Sequence, residues 1–177
     1  MPEGYVVRAL READAPALAS AYARNRTHLE PWDPRRDESF YTEQGQRVAV
    51  HQQLSAVRMG LMVAWLVVKD GELVGRVNLN NIVRGALHSA AVGYWVDAAH
   101  LGRGLATAAV EHAVEEARSM GLHRVEAGTL LHNAASQAVL RKCGFTEYGL
   151  APRYLFIAGL WQDHRLFQRI LHDEPPA

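Results

Sequence analysis

The sequence predicts a mixed α/β (α+β) domain, a sheet of about seven strands flanked by helices, and three observations carry that prediction. Two apolar runs in "LMVAWLVVKDGELVGRVNL" meet at Asp70-Gly71, the dipeptide that a tight hairpin turn favours. In the second half, helical patterns sit between short strand-like runs, which speaks for a mixed sheet and against a bundle or sandwich. The chain has 177 residues, 49% of them apolar, which suits a single buried core.

The elements follow in order. "YVVRAL" reads as a short strand, and "READAPALASAYARN" as an amphipathic helix with Pro16 in its first turns. Pro31 and Pro34 then forbid a continuous helix through "RTHLEPWDPRRDESFYTE". A mostly polar helical pattern runs from Ser39 to about Met59, ahead of the hairpin. The segment "NNIVRGAL" reads as a loop and "HSAAVGYWV" as a third strand in a row. A helix from about Gly104 to Ser119, a strand "HRVEAGTL" and a helix "NAASQAVLRKC" capped by Asn133 come next. "FTEYGLAPRYLFIAG" and "LWQDHRLFQRI" close the chain as a hairpin. One domain over 1–177 is expected, with a core of about 5–171 and a frayed tail at 172–177.

Composition excludes several function classes. Lys plus Arg equals Asp plus Glu at 19 each, so no global basic field draws the chain to nucleic acid or an anionic membrane. The N-terminal stretch lacks the pattern of a signal peptide, and no apolar run is long enough for a membrane span. A single cysteine, Cys143, cannot form an internal disulfide and suits a reducing cytoplasm. It lies between a helical pattern and a glycine, where a small buried residue is expected. The 9 histidines show no paired metal-ligand spacing, so no metal is expected.

The chemistry concentrates in "LGRGLAT". A P-loop needs Lys-Ser/Thr after its last glycine, and Leu105 follows Gly104. A Rossmann fingerprint needs a third glycine where Thr107 stands. Two readings stay open on these residues alone: the ordinary glycine turn that lets a strand enter a helix, and an anion held on the helix start. On the second, the N–H groups of Gly102, Arg103, Gly104, Leu105 and Ala106 would point into one concavity, with the helix dipole and the mobile charge of Arg103 adding positive potential and the glycines admitting close approach.

That loop, followed by a helix, a strand and "HNAASQAVLRKCGF", resembles the GCN5-related N-acetyltransferase (GNAT) superfamily. The resemblance implies a central twisted sheet splayed between its fourth and fifth strands, with acetyl-CoA as the acetyl donor. It implies that backbone amides from Gly102 to Thr107 hold the CoA pyrophosphate. The family pattern Gln/Arg-x-x-Gly-x-Gly/Ala is met at Gly104 and Ala106, but Leu101 stands at its first position. Tyr94, Trp95 and Val96 would offer free backbone groups to pantetheine, as an added strand would. One of Tyr94 and Trp95 is expected in the core and the other in the cleft, because neighbours on a strand face opposite sides. Asn133 matches the residue that bonds the pantetheine arm, and Ser136 the hydroxyl that protonates the departing thiolate. Asn133 and Ser136 read equally as a helix cap and a surface serine. Arg141 and Lys142 point either to the adenosine 3′-phosphate or to a solvated basic helix end.

The first half, with "PWDPRRDES" and "NIVRGALH", resembles the RimJ-type branch, which acetylates the N-terminal alanine of a small-subunit ribosomal protein. On that resemblance Trp32 and its prolines form a stiff wall of a peptide groove, with Asp37, Glu38, Asn80 and Arg84 as acceptor contacts. Asp33, Asp37 and Glu38 are candidates to hold a cationic N-terminus. An α-amino group has a pKa of about 8, so roughly a tenth is neutral at pH 7 and little is asked of a base. Glu38 and His88 are the side-chain candidates, and Asn78 or Asn80 can orient a water. Three functions compete: N-terminal acetylation of a ribosomal protein, acetylation of a small amine, and a non-catalytic acyl-CoA sensor. A monomer or homodimer in the cytoplasm is expected, without direct nucleic-acid binding.

Overall fold

The computed structural model describes residues 1–175, so residues 176 and 177 of the expected tail lie outside the described residues. Strand β1 (Tyr5–Ala9) leads into α1 (Ala15–Arg24), the four-residue α2 (Arg26–Leu29) and α3 (Glu43–Arg58). Strands β2 (Val63–Lys69), β3 (Glu72–Val83) and β4 (Ser89–Val96) form an antiparallel meander. Then come α4 (Leu105–Ser119), β5 (Arg124–Leu130), α5 (Ala134–Lys142), β6 (Thr146–Ile157) and β7 (Leu160–Ile170). The seven strands make one sheet in the order β1-β2-β3-β4-β5-β7-β6.

The pairing of β4 with β5 positions everything that follows. It is the parallel contact of the sheet, and it holds only at Ser89/Arg124, Ala90/Val125 and Ala91/Glu126. Beyond Ala91 the two strands part. Val92 to Val96 keep β3 on one side, while Ala127 to Leu130 pair with β7. The expected splay between the fourth and fifth strands is therefore present. Each face of the sheet buries its own apolar layer. Val77, Leu79, Val110, Val114, Leu140 and Phe167 pack on one side, and Leu18, Tyr22, Val50 and Leu66 on the other.

Two local readings need correction. The strand before the third turn runs on through "NNIV" to Val83, with an irregularity between Asn80 and Val83. Ile82 explains it: its side chain is buried and its N–H donates to Leu61 O at 3.0 Å, while Asn81 takes a positive φ of 50°. The polar helix begins at Glu43 rather than Ser39, because Thr42 caps it by accepting from Gly45 N–H at 3.1 Å. At the end of the expected core Leu171 is buried, and the His172 ring meets that of His123 with centroids 5.9 Å apart.

Candidate active site

The glycine loop turns β4 into α4 through two positive φ values, 72° at Gly102 and 76° at Gly104. Apart from chain neighbours, no heavy atom lies within 4 Å of where a Cβ would stand at either position. The helical ladder opens with Ala108 N–H to Gly104 O at 3.0 Å. Among the described residues, no acceptor takes the N–H groups of Gly102 to Thr107. Six consecutive donors at a positive helix end form a cradle for an anion. A pyrophosphate fits this loop.

The loop is anchored from below by Asp97. Its carboxylate accepts from Asn25 Nδ2 at 2.7 Å, Arg24 Nε at 2.8 Å and Ala99 N–H at 2.9 Å, and Asn25 Oδ1 takes Ala98 N–H at 2.9 Å. Burial pushes the Asp97 carboxyl up. The hydrogen bonds from Asn25, Ala99 and Arg24 outweigh that and hold it below the ordinary value.

A cleft of about 1470 Å³ runs from this loop through the splay to the loop before α3. Leu101, Gly102, Gly104, Leu105, Ala106 and Thr107 line the cleft at the glycine loop, and Asn133, Ser136 and Lys142 line it as well. Asn133 Oδ1 caps α5 by accepting from Ser136 N–H at 3.0 Å. Neither Tyr94 nor Trp95 is simple core, contrary to the expectation for one of them: both are half-buried and both line the cleft. They do so on opposite faces of β4. The Tyr94 hydroxyl lies 2.8 Å from Ser136 Oγ, and Trp95 Nε1 donates to the Tyr22 hydroxyl at 3.2 Å. Burial pushes the Tyr94 phenol up to about 12. Cys143 is buried beside Thr107 O at 3.5 Å, and burial pushes its thiol up to about 12, which fits a structural residue.

The other half of the cleft gathers Trp32, Asp33, Asp37, Arg76, Asn78 and Asn80. Trp32 meets the His132 ring at 5.5 Å, so the proline-rich loop reaches the segment that leads into α5. Burial raises the Asp33 carboxyl above its ordinary value, and the charges of Arg36 and Arg76 pull it the other way only in part.

Three of the expected site residues are not brought to the cleft, and the side chain of a fourth stays outside it. Glu38 is exposed and forms a bidentate pair with Arg26 at 2.5 and 2.9 Å, which holds its carboxyl low, the wrong direction for a base. His88 sits in the β3–β4 turn with Nδ1 3.2 Å from Gly85 O. Arg84 donates to Met120 O at 2.8 Å, at the far end of α4. The Arg103 side chain is exposed and outside the lining, so only its backbone belongs to the cradle. Sequence reasoning missed Arg76 and the Tyr94–Ser136 contact. Arg76 did leave a signal, a charge inside the apolar run "LVGRVNL" of a central strand.

Fold and cleft together define a transferase that meets a phosphate-bearing donor and an acceptor across a split sheet. The residues 5–146 match the model of the acetyltransferase (GNAT) domain, and the chain belongs to that family. It is an N-acetyltransferase, and the family's acetyl donor is acetyl-CoA. The chain is 36% identical to the [ribosomal protein uS5]-alanine N-acetyltransferase of Escherichia coli, over 97% of this chain and 90% of that one. Among solved structures it is similar to the ribosomal-protein-S5-alanine acetyltransferase of Vibrio fischeri, with a TM-score of 0.94, 34% identity and coverage of 99% and 98%. It is also similar to Mycobacterium smegmatis RimJ in complex with CoA-disulfide, with a TM-score of 0.90, 35% identity and coverage of 94% and 81%.

Proposed function

We propose that this chain acetylates the N-terminal alanine of a small-subunit ribosomal protein, by direct attack of the amine on acetyl-CoA in a ternary complex. The observation that carries the reading is the near full-length likeness to alanine acetyltransferases of ribosomal protein S5, in sequence and in fold. The cleft supports it. Its volume exceeds the ~300–1,000 Å³ of a typical single-ligand pocket, and its acceptor rim, with Trp32, Arg35 and Asp37, is exposed as a peptide groove requires.

The roles follow from placement. The N–H groups of Gly102 to Thr107 hold the pyrophosphate, so a leucine at 101 in place of the pattern's Gln or Arg removes one polar contact and leaves the cradle. Tyr94 to Val96 offer backbone groups to the pantetheine arm, with Asn133 beside them, and Lys142 reaches the 3′-phosphate. Asp33, with Asp37, Asn78 and Asn80, receives the acceptor amine. Its raised carboxyl and its place on the lining make it the proton acceptor in place of Glu38 and His88. Ser136 protonates the departing thiolate. The enzyme acts in the cytoplasm as one domain, and no described helix is long and apolar enough to cross a membrane.

The test is mass spectrometry of ribosomal proteins from cells with and without the gene. One N-terminal alanine is expected to lose the mass of an acetyl group in the deletion. An unchanged set of ribosomal proteins, with a small amine acetylated instead, refutes the acceptor.

A further inference from the structure

Arg76 is a buried charge on the wall of the cleft. Its residue is only 4% exposed, yet it lines the acceptor half of the cleft. Nε donates to Asn78 Oδ1 at 2.9 Å and Nη2 to Gln53 Oε1 at 2.6 Å, both neutral amide oxygens. Nη1 donates to no described residue. Among the described residues, no carboxylate oxygen lies within 4.0 Å of the guanidinium. The other partly buried arginines differ. Arg8 pairs with Asp14, Arg124 with Glu126 and Arg169 with Glu111. A buried cation with no carboxylate in contact is unfavourable, and a strand position of this kind would ordinarily be apolar.

We propose that Arg76 recognises a carboxylate on the acceptor, so that the enzyme prefers amines that carry an acidic group close by. The inference rests on reading this half of the cleft as the acceptor site of an acetyltransferase. Gln53 and Asn78 fix the plane of the guanidinium and leave Nη1 and the second N–H of Nη2 without a partner among the described residues, the two donors of a fork that suits a carboxylate. Position agrees. Arg76 pairs across the sheet with Trp95 on the cleft edge of β4, and Asn78 and Asn80 continue the same face of β3. Asp33 is the carboxylate of the opposite loop that feels this charge. An acceptor with an ammonium toward Asp33 and a carboxylate toward Arg76 satisfies both walls. Two sources present that chemistry: an acidic side chain just after the N-terminal residue of a peptide, or the α-carboxylate of a free amino acid.

The experiment measures acetyl transfer to matched acceptors. One arm compares peptides that begin alanine-glutamate and alanine-glutamine; the other compares a free amino acid with its amide. Wild-type enzyme is expected to favour the carboxylate member of one pair by about 10- to 100-fold in kcat/KM, mostly through KM, as a charge-assisted bond allows. Arg76→Gln is expected to abolish the preference, and Arg76→Lys to keep part of it. The arm that shows the preference names the source. Transfer to both members of each pair at equal rates overturns the proposal and leaves the acetyltransferase reading intact. Transfer to none of the acceptors tells against that reading itself; the carboxylate preference is then read from calorimetric binding of the same pairs to the CoA complex, where equal affinities overturn it. The wild-type comparison holds even where Arg76→Gln does not fold.

Discussion

The phenol oxygen of Tyr94 lies 2.8 Å from the hydroxyl oxygen of Ser136, joining the free edge of β4 to the first turn of α5. With its pKa pushed up to about 12 by burial, Tyr94 stays protonated and can donate to Ser136 Oγ. The serine proton is then free for the thiolate. Ser136→Ala is expected to lower kcat about 100-fold with little change in CoA affinity. Tyr94→Phe should lower it about tenfold, and less than that in the Ser136→Ala background, because the two act as a unit. Neither loss should vary between about pH 6 and pH 9, since neither group titrates there. Steady-state kinetics across that range checks the pair, and an undiminished kcat in Ser136→Ala removes the serine from the mechanism.

The cradle makes a separate prediction. Gly104 and Gly71 both hold a positive φ with open space where a Cβ would go, but only Gly104 faces the expected anion. Each Gly→Ala change should destabilise by about 1–2 kcal/mol through left-handed strain. Gly104→Ala should in addition weaken CoA binding at least tenfold, because its methyl group enters the phosphate space. Thermal melting with calorimetry of CoA binding separates the two effects. Equal CoA affinity in both variants would show that the cradle does not hold the phosphates.

What was legible in the chain divides by the range of the interaction. The Asp70-Gly71 hairpin, the Asn133 cap and the "LGRGLAT" turn are set by neighbours a few residues apart, and these stood in the sequence. The splay was readable only through family resemblance, because it depends on where β4 stops pairing with β5. Side-chain pairings fared worst. Glu38 reads as a free acid until the fold brings Arg26 to it, 12 residues away in the chain. Which of Tyr94 and Trp95 enters the cleft stays open in the sequence until Ser136, 42 residues on from Tyr94, meets the Tyr94 hydroxyl. His88 and Arg84 were misplaced because β3 runs to Val83 and carries the turn to the far end of the sheet.

Asp97 ties the glycine loop to α1, so stability and acid response should change together when it is altered. Its folded pKa is depressed, so its contribution is present above the unfolded value near 3.8 and is lost as pH falls through the lower folded value. Asp97→Asn is expected to lose about 1.5–3 kcal/mol at neutral pH, the worth of hydrogen bonds to a charged group. The gap to wild type should narrow as pH drops below 3.8. Urea unfolding at a series of pH values measures it, and a gap that stays constant into acid would exclude the ionised carboxylate as the anchor.

Asp33 should behave in the opposite sense. Burial raises its folded pKa above 3.8, so the ionised carboxylate works against the fold at every pH above that value and not below it. A structural aspartate would not be placed this way; one that waits for a cationic amine would. Asp33→Asn is therefore expected to be at least as stable as wild type at neutral pH, with the difference closing below 3.8. The same change should lower kcat/KM for the amine acceptor by about tenfold or more, the scale of a lost charge-assisted contact. Melting curves and acceptor kinetics on one preparation decide it. A variant that loses stability and activity in parallel would make Asp33 a structural residue and remove it from the acceptor site.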